Sequence, residues 1–499
     1  MFENIVTSKN YLAVIDIGSN SVRLVVFSGA ERVPDVVFNE KLMAGLGEKV
    51  GDTGKMDPGA IKKAVATLKR FKALCHQMQV KEIELVATAA VRDAKNGPGF
   101  VKKVEKECGL KIRVINGIEE ARLAGLGVLS GEPSALGVTG DLGGGSLELA
   151  RMKDGAIYET LSLPIGPLRL MSRFGSNRSK IKKFLRETFS EIPWLAECEG
   201  ENLYLVGGAW RNIVKLMMRE KSNPLPILHG YSASKGEITS YSKRLSKLAV
   251  ADIPFAGSIP SRRRQVIPTA ALILTELLSA MKAKRAVTSS YGLREGLLFD
   301  KLSSEERTID PFIYSCEGLA NERCRFAEHS RVIFDWTRPL FKRRSVDPAL
   351  RDRLQYAISL LSDIAWRGHP DFRAEKAVES VLHGNFVGVS HHHRAYVAIA
   401  LNQAYGAPID APHLAQMLPL LKIDDIMEAR MMGAALRLAQ RLSGGAVRAL
   451  ELSELRLTKS TLYLGVPEEY REIANDVVLK RVRDLAQLIG RKAKIEVLS

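Results

Sequence analysis

The chain is 499 residues long, 46% hydrophobic, and carries a formal charge of +17. That length calls for roughly three or four domains rather than one core. The apolar runs, such as 270–274, are far too short to cross a bilayer, so a soluble protein without a membrane partner is expected. Five scattered cysteines with no CxxC pair, and an opening segment with no long apolar stretch, point to free thiols in a cytoplasmic protein.

The first elements are a buried strand from Leu12 to Ile15, a turn Ile15-Asp16-Ile17-Gly18-Ser19-Asn20-Ser21, and a second strand in which Val22, Leu24 and Val26 alternate. Helical spacing of Ile61, Val65, Leu68 and Leu74 predicts a helix over about 58–78. A short strand at 84–87 leads into Thr88-Ala89-Ala90-Val91-Arg92-Asp93. A helix at 99–108, a strand at 112–115 and a helix at 119–129 follow.

The opening then repeats. Strands flank Asp141-Leu142-Gly143-Gly144-Gly145-Ser146-Leu147-Glu148 over 135–152, and 156–163 extends the sheet. A basic helix at 179–189 precedes a strand at 203–206, which ends in Gly207-Gly208-Ala209-Trp210-Arg211. A long apolar helix at 265–281 and a strand at 285–289 run into Gly292-Leu293-Arg294-Glu295-Gly296. Alternating strands and helices mean α/β layers. Polar residues 302–306 read as a linker, beyond which the pattern is nearly all helical to about Leu442. A small α+β tail ends the chain, with a hairpin at 453–466, a helix at 467–490 and a strand at 494–498.

Each of the two turns places an Asp at a strand end, then glycines, then hydroxyls. Glycine allows successive N–H groups to converge on one spot, a concavity that suits phosphate. The Asp repels phosphate unless a divalent cation stands between them. Two such turns suggest two related lobes gripping a phosphate from opposite sides. The Walker spacing is absent, and Gly45-Leu46-Gly47 and Gly125-Leu126-Gly127 lack the dinucleotide spacing. The charge excess falls mainly on residues 1–300, with 44 basic against 31 acidic side chains, compared with 29 against 25 in residues 301–499. Such a balance favours polyanions. With no zinc-finger, RRM or basic-zipper pattern, specific nucleic-acid binding is not expected, and inorganic polyphosphate fits the turns better.

Five motifs in order complete the pattern: Asp16 to Ser21, Ala87 to Arg92, Gly117-Ile118-Glu119-Glu120-Ala121-Arg122-Leu123, Asp141 to Glu148, and Gly292 to Gly296. Together they resemble the exopolyphosphatase/guanosine pentaphosphatase (Ppx/GppA) family in its long form. The resemblance is strong over residues 1–300 and looser beyond. It implies a two-lobed actin-like ATPase (ribonuclease H-like) fold. The expected divisions are lobes at 1–130 and 131–303, a helical HD-like domain at 304–448 without an evident His-Asp metal motif, and the α+β tail at 449–499. It also implies Mg²⁺-dependent hydrolysis of the terminal phosphate of polyphosphate, or of the 5′ phosphate of pppGpp, by a homodimer.

Carried over residue by residue, the resemblance makes Glu120 the general base, with Glu119 an ordinary acidic helix start. Asp141 and Glu148, seven residues apart across a hairpin, are expected to converge on Mg²⁺, with Asp16 joining from the other lobe. Gly143, Gly144, Gly145 and Ser146 cradle the terminal phosphate opposite Ser19, Asn20 and Ser21. Arg92 is the cation for the transferring phosphoryl group, unless it is only a salt bridge to Asp93. Trp210 either fills the nucleotide pocket or packs into the core. Basic clusters at Lys180, Lys182 and Lys183, at Arg262 to Arg264, and at Lys342, Arg343 and Arg344 are candidates for a polyphosphate path, of which about one in three is expected to touch substrate. Ser362-Asp363 stands where a His-Asp doublet would be, and His391 to His393 reads as a helix start. The alternatives are a pppGpp phosphohydrolase, an ATP-dependent kinase or chaperone of the same superfamily, and a noncatalytic polyanion-binding regulator.

Overall fold

A computed structural model describes residues 10–341 and 347–498, which divide into two compact units between Ile309 and Asp310. The first unit is built on two sheets. One has the order β3-β2-β1-β4-β5, from β1 (Leu12–Ile17), β2 (Val22–Phe27), β3 (Val36–Leu42), β4 (Glu82–Ala87) and β5 (Arg113–Val114). The other has the order β10-β11-β9-β6-β7-β8, from β6 (Gly137–Leu142), β7 (Leu147–Lys153), β8 (Ala156–Leu163), β9 (Asn202–Val206), β10 (Ser232–Ser234) and β11 (Arg285–Thr288). Each sheet starts as an antiparallel meander whose first strand then pairs in parallel with a later one, β1 with β4 and β6 with β9. This duplicated order gives the two related lobes that the repeated turns imply, in the two-lobed actin-like α/β plan that the family resemblance implies.

The matched strands β1 and β6 are buried along their length except at one position, and in both strands that position is the Asp, Asp16 and Asp141. Apolar neighbours drive each strand into a two-sided core, and the carboxylate marks where the strand reaches the cleft. Helices Pro58–Gln77 and Gly97–Cys108 cover one face of the first sheet. Helices Gly208–Glu220 and Ile267–Ala280 cover one face of the second. Between the sheets lie helices Gly117–Gly131 and Leu293–Asp300, whose Leu123, Leu129, Leu297 and Leu298 meet Val14, Val86 and Val206. Each such buried side chain contributes about 1.5–3 kcal/mol. The two helices pack tightly because glycines face each other: a Cβ on Gly296 would lie 1.9 Å from the Leu123 carbonyl oxygen.

Several elements differ from the sequence reading. Strand β3 is a third member of the first meander, missed because its apolar residues are half-exposed at a sheet edge. Residues 302–306 are no linker. They open helix Ser304–Thr308, capped by reciprocal bonds between Ser303 and Glu306. Helix Gly117–Gly131, placed with the first lobe by a boundary at 130, packs against β6, β7 and β8.

The second unit is helical to Glu451 and ends in a three-stranded sheet of order β12-β13-β14, from β12 (Glu454–Leu457), β13 (Thr461–Pro467) and β14 (Lys492–Leu498). Helix Asp476–Leu488 backs this sheet and packs against helix Ile423–Ser443. The helix expected from 467 therefore begins later, after a 3₁₀ segment at Glu468–Ile473. Asp363 is held by the Arg325 guanidinium through both carboxylate oxygens at 2.8 Å. His391 to His393 open helix His391–Tyr405 behind the Ser390 cap, and His392 pairs with Asp425 at 3.1 Å. Among the described residues no three His, Cys, Asp or Glu side chains gather as a metal cage. No described helix is long and apolar enough to cross a membrane. Lys342, Arg343 and Arg344 lie outside the described residues.

Candidate active site

The two turns are built alike. Gly18 N–H donates to the Ser21 carbonyl at 3.0 Å, and Gly143 N–H donates to the Ser146 carbonyl at 3.0 Å. They confront each other across a cleft of about 950 Å³, where a Cβ on Gly144 would stand 3.7 Å from Ser19 Cβ. Asp16, Ser19, Asn20 and Ser21 line the cleft from the first lobe, and Asp141, Gly143, Gly144 and Ser146 from the second. Gly145 sits beside them, a Cβ on it falling 3.9 Å from Ser19 Oγ. The Gly45–Gly47 loop supports the first turn, with Gly45 N–H on the Asn20 carbonyl and Gly47 N–H on the Ser19 carbonyl.

Register fixes what stands beside each Asp. Asp141 faces Glu148 across β6 and β7, so both side chains leave the same face of the sheet. At the equivalent place in the first lobe Asp16 faces Arg23. The duplicated frame thus places a carboxylate opposite a carboxylate in one lobe and opposite an arginine in the other. Glu148 is 1% exposed and its Oε1 accepts from Ser162 Oγ at 3.0 Å. Burial pushes Asp141 up to about 6, with Arg211 offsetting and Asp16 adding to the rise. Burial likewise pushes Glu148 up to about 7, against hydrogen bonds from Ser146 and Ser162. Asp16 is raised by burial too, opposed by Arg294, Lys41 and Arg23.

Glu120 is 9% exposed and lines the cleft from the first turn of helix Gly117–Gly131. Its Oε2 accepts from Arg92 Nη1 at 3.0 Å. Burial first, and then Glu148, hold its carboxyl well above the usual range, while Arg92 pulls it down. Glu119 is the surface residue of the pair, ion-paired with Arg113 and donating its N–H to the Asn116 cap. Arg92 also donates to Asp93 at 3.2 Å, so it forms the salt bridge that is one of its two readings and bonds Glu120 as well.

Trp210 does not fill a pocket. It is fully buried under Gly140 and donates its indole N–H to the Ala270 carbonyl at 3.0 Å. Beside Gly208 lies Arg263 instead, its guanidinium 2.6 Å from where a Cβ would be. Arg23, Lys41, Arg211, Lys215, Arg262, Arg263 and Arg294 line the cleft, cations that sequence reasoning singled out only at 262–264. Burial and mutual repulsion lower Lys41 to about 8 and Arg23 to about 10, and burial lowers Arg211 and Arg263. Arg294 Nη1 is buried without a protein hydrogen-bond partner. Such a group is costly unless an anion meets it. Of the other basic clusters, Lys182 pairs with buried Glu276 and Lys183 with Glu187, outside the cleft.

The model of the Ppx/GppA phosphatase family matches residues 7–305, and the exopolyphosphatase C-terminal model matches residues 312–496. The chain belongs to the Ppx/GppA phosphatase family. It is 26% identical over 450 residues to Retrograde regulation protein 2 of Saccharomyces cerevisiae, covering 82% of this chain and 74% of that one. It is 27% identical to Exopolyphosphatase 1 of Mycobacterium leprae over 59% of this chain and 90% of the relative. Among solved structures, the Aquifex aeolicus Ppx/GppA family member superposes with a TM-score of 0.51 at 27% identity, over 58% of this chain and 97% of that one. The two-turn cleft thus lies within the region matched by the phosphatase family, and the chain also carries the family's C-terminal region.

Proposed function

We propose that this phosphatase is an exopolyphosphatase that hydrolyses the terminal phosphate of inorganic polyphosphate and releases orthophosphate in the cytoplasm. The observation that carries this reading is the row of cations, Arg23, Lys41, Arg211, Arg263 and Arg294, that lines the cleft holding the phosphate turns, with Arg294 Nη1 buried and without a protein hydrogen-bond partner. A polyanion neutralises them. A guanine base finds instead Arg263 pressed against Gly208 and the one nearby indole, Trp210, sealed in the core.

In this reading the terminal phosphate lies between Ser19 to Ser21 and Gly143 to Ser146. Glu120 takes a proton from water as its oxygen attacks the terminal phosphorus, and the shortened chain leaves with the bridging oxygen. Arg92 turns from Glu120 toward the phosphoryl oxygens, which frees the base as charge develops. Hard oxygen donors Asp141 and Glu148, with Asp16 opposite, fit Mg²⁺, which usually takes only one or two carboxylates and fills its shell with water and phosphate oxygens. Such an ion would neutralise phosphate charge next to two carboxylates. The test is the initial rate of phosphate release with Mg²⁺ from long-chain polyphosphate against pppGpp. Faster release from polyphosphate supports the reading, and faster release from pppGpp replaces it.

A further inference from the structure

Arg92, the partner of Glu120, is itself held from behind. Its Nε donates to Asp93 Oδ1 at 3.2 Å, while Asp93 Oδ2 accepts from Arg169 Nη2 at 2.7 Å. Arg92 and Asp93 end the short helix Ala89–Arg92 of the first lobe. Arg169 stands on helix Pro167–Phe174 of the second lobe. That helix grows directly from the second phosphate turn. Leu168 N–H donates to the Gly144 carbonyl, and Arg169 Nη2 lies 3.8 Å from where a Cβ on Gly145 would be. One carboxylate therefore joins two guanidiniums, one beside the base and one beside the phosphate turn.

Two further contacts cross the same gap. Ser172, on the same helix as Arg169, hydrogen-bonds Asp52, and Arg262 lies 3.7 Å from Glu48. In all three the first lobe supplies the carboxylate and the second lobe the donor. The Arg169–Asp93 pair is about one third exposed on both sides. Ion pairs so exposed are weak and readily exchanged for water. That suits a contact that must break whenever the cleft opens to exchange substrate and product.

We propose that Asp93 is a positioning residue: through Arg169 it ties the approach of the second phosphate turn to the placement of Arg92 against Glu120. The proposal rests on the reading of Glu120 and Arg92 as the reacting pair. With the lobes together, Arg169 anchors Asp93, and Asp93 holds the Arg92 guanidinium against Glu120. With the lobes apart, Asp93 loses one of its two anchors and Arg92 loses its fixed aim.

The test compares the full-length wild type with Asp93→Asn, Arg169→Met, Arg169→Lys and the Asp93→Asn/Arg169→Met double variant. On polyphosphate, each of the first two changes is expected to lower kcat about tenfold with little change in KM, as for a misaimed catalytic group. The double variant is expected to be no slower than the worse single one, and Arg169→Lys to recover most of the rate. Independent, multiplying defects, or an Arg169→Met rate within about twofold of wild type, overturn the proposal. Amide hydrogen exchange gives a second readout that needs no turnover. Arg169→Met is expected to speed exchange at 89–92 and Asp93→Asn to speed it at 167–174, each across the cleft. Changes confined to the mutated lobe overturn the interlobe tie. A wild type silent on polyphosphate defeats the functional reading and the positioning role with it. Exchange then still decides whether the two lobes are tied through Asp93 and Arg169.

Discussion

Arg92 Nη1 stands 3.0 Å from Glu120 Oε2, so the cation suited to the phosphoryl group and the carboxylate suited to the water are bonded to each other. The same Nη1 also reaches the Ile115 carbonyl at 3.2 Å, which fixes the guanidinium beside the start of the Glu120 helix. A carboxylate engaged this way is a weak base. In the proposed mechanism a terminal phosphate that competes for Arg92 releases it, and the pair would prevent proton abstraction until substrate is in place.

The pH dependence of kcat/KM follows from the burial of Glu120. Its carboxyl is raised well above the ordinary range, chiefly by burial and then by Glu148. The base acts ionised, so the rate falls on acidification, with an acid limb well above ordinary carboxylate values. Arg92 opposes the rise, so Arg92→Met moves the limb to still higher pH as well as lowering kcat. Glu120→Gln lowers kcat by about 10²–10⁴ without weakening substrate binding. A pH–rate profile of the three proteins checks all of these.

Asp141 and Glu148 are expected to make stability depend on pH and, on the proposed Mg²⁺ site, on Mg²⁺ together. Both are raised in the folded chain, to about 6 and about 7. A raised carboxyl contributes stability below its unfolded value of about 4 and loses it as pH climbs through the folded value. Without Mg²⁺, these groups therefore destabilise the fold progressively from about pH 4 to pH 7, by on the order of 3 kcal/mol each. A cation bound only by the ionised, folded site restores stability on the alkaline side. Thermal unfolding is expected to show a larger Mg²⁺-induced rise in Tm at pH 8 than at pH 5. In Asp141→Asn the metal-free Tm at pH 8 rises and the Mg²⁺ response shrinks. Equal Mg²⁺ responses at both pH values would count against this assignment.

On the proposed function, the cleft cations are expected to set affinity for long chains. Arg263→Ala and Arg294→Ala are each expected to raise KM for long-chain polyphosphate about three- to tenfold at low salt, with a smaller effect on kcat. Added salt screens these contacts and narrows the gap between variant and wild type. Steady-state kinetics at low and high ionic strength measure it.

Trp210 is a packing residue. Trp210→Ala removes a fully buried indole and its bond to the Ala270 carbonyl, and is expected to cost about 3–5 kcal/mol. Trp210→Phe keeps most of the volume and is expected to leave the ratio of polyphosphate to pppGpp rates unchanged. Denaturant unfolding and substrate competition test the two statements.

The parts of this site legible in the sequence are the local ones. Asp, Gly and Ser within a few residues specify each turn, and the seven-residue spacing of Asp141 and Glu148 across a tight hairpin fixes their register. The Ser303–Glu306 capping box was equally local, yet its polar composition resembled a linker. Contacts distant in the chain leave no such trace. Arg92 meets Glu120 across 28 positions and Arg169 meets Asp93 across 76, each brought together only by strand order. Arg211 and Arg294 sit in motifs with no periodicity that marks them as cleft-facing. Trp210 beside two glycines was equally compatible with pocket and core, and the choice depended on the space beneath Gly140.

The most direct measurement is phosphate release from long-chain polyphosphate by the purified protein with Mg²⁺, alongside Glu120→Ala and with pppGpp in parallel. Rapid release from polyphosphate, slower release from pppGpp, and loss of both in Glu120→Ala while polyphosphate binding persists are expected. Undiminished release by Glu120→Ala, or no release from polyphosphate by the wild type, would contradict these expectations.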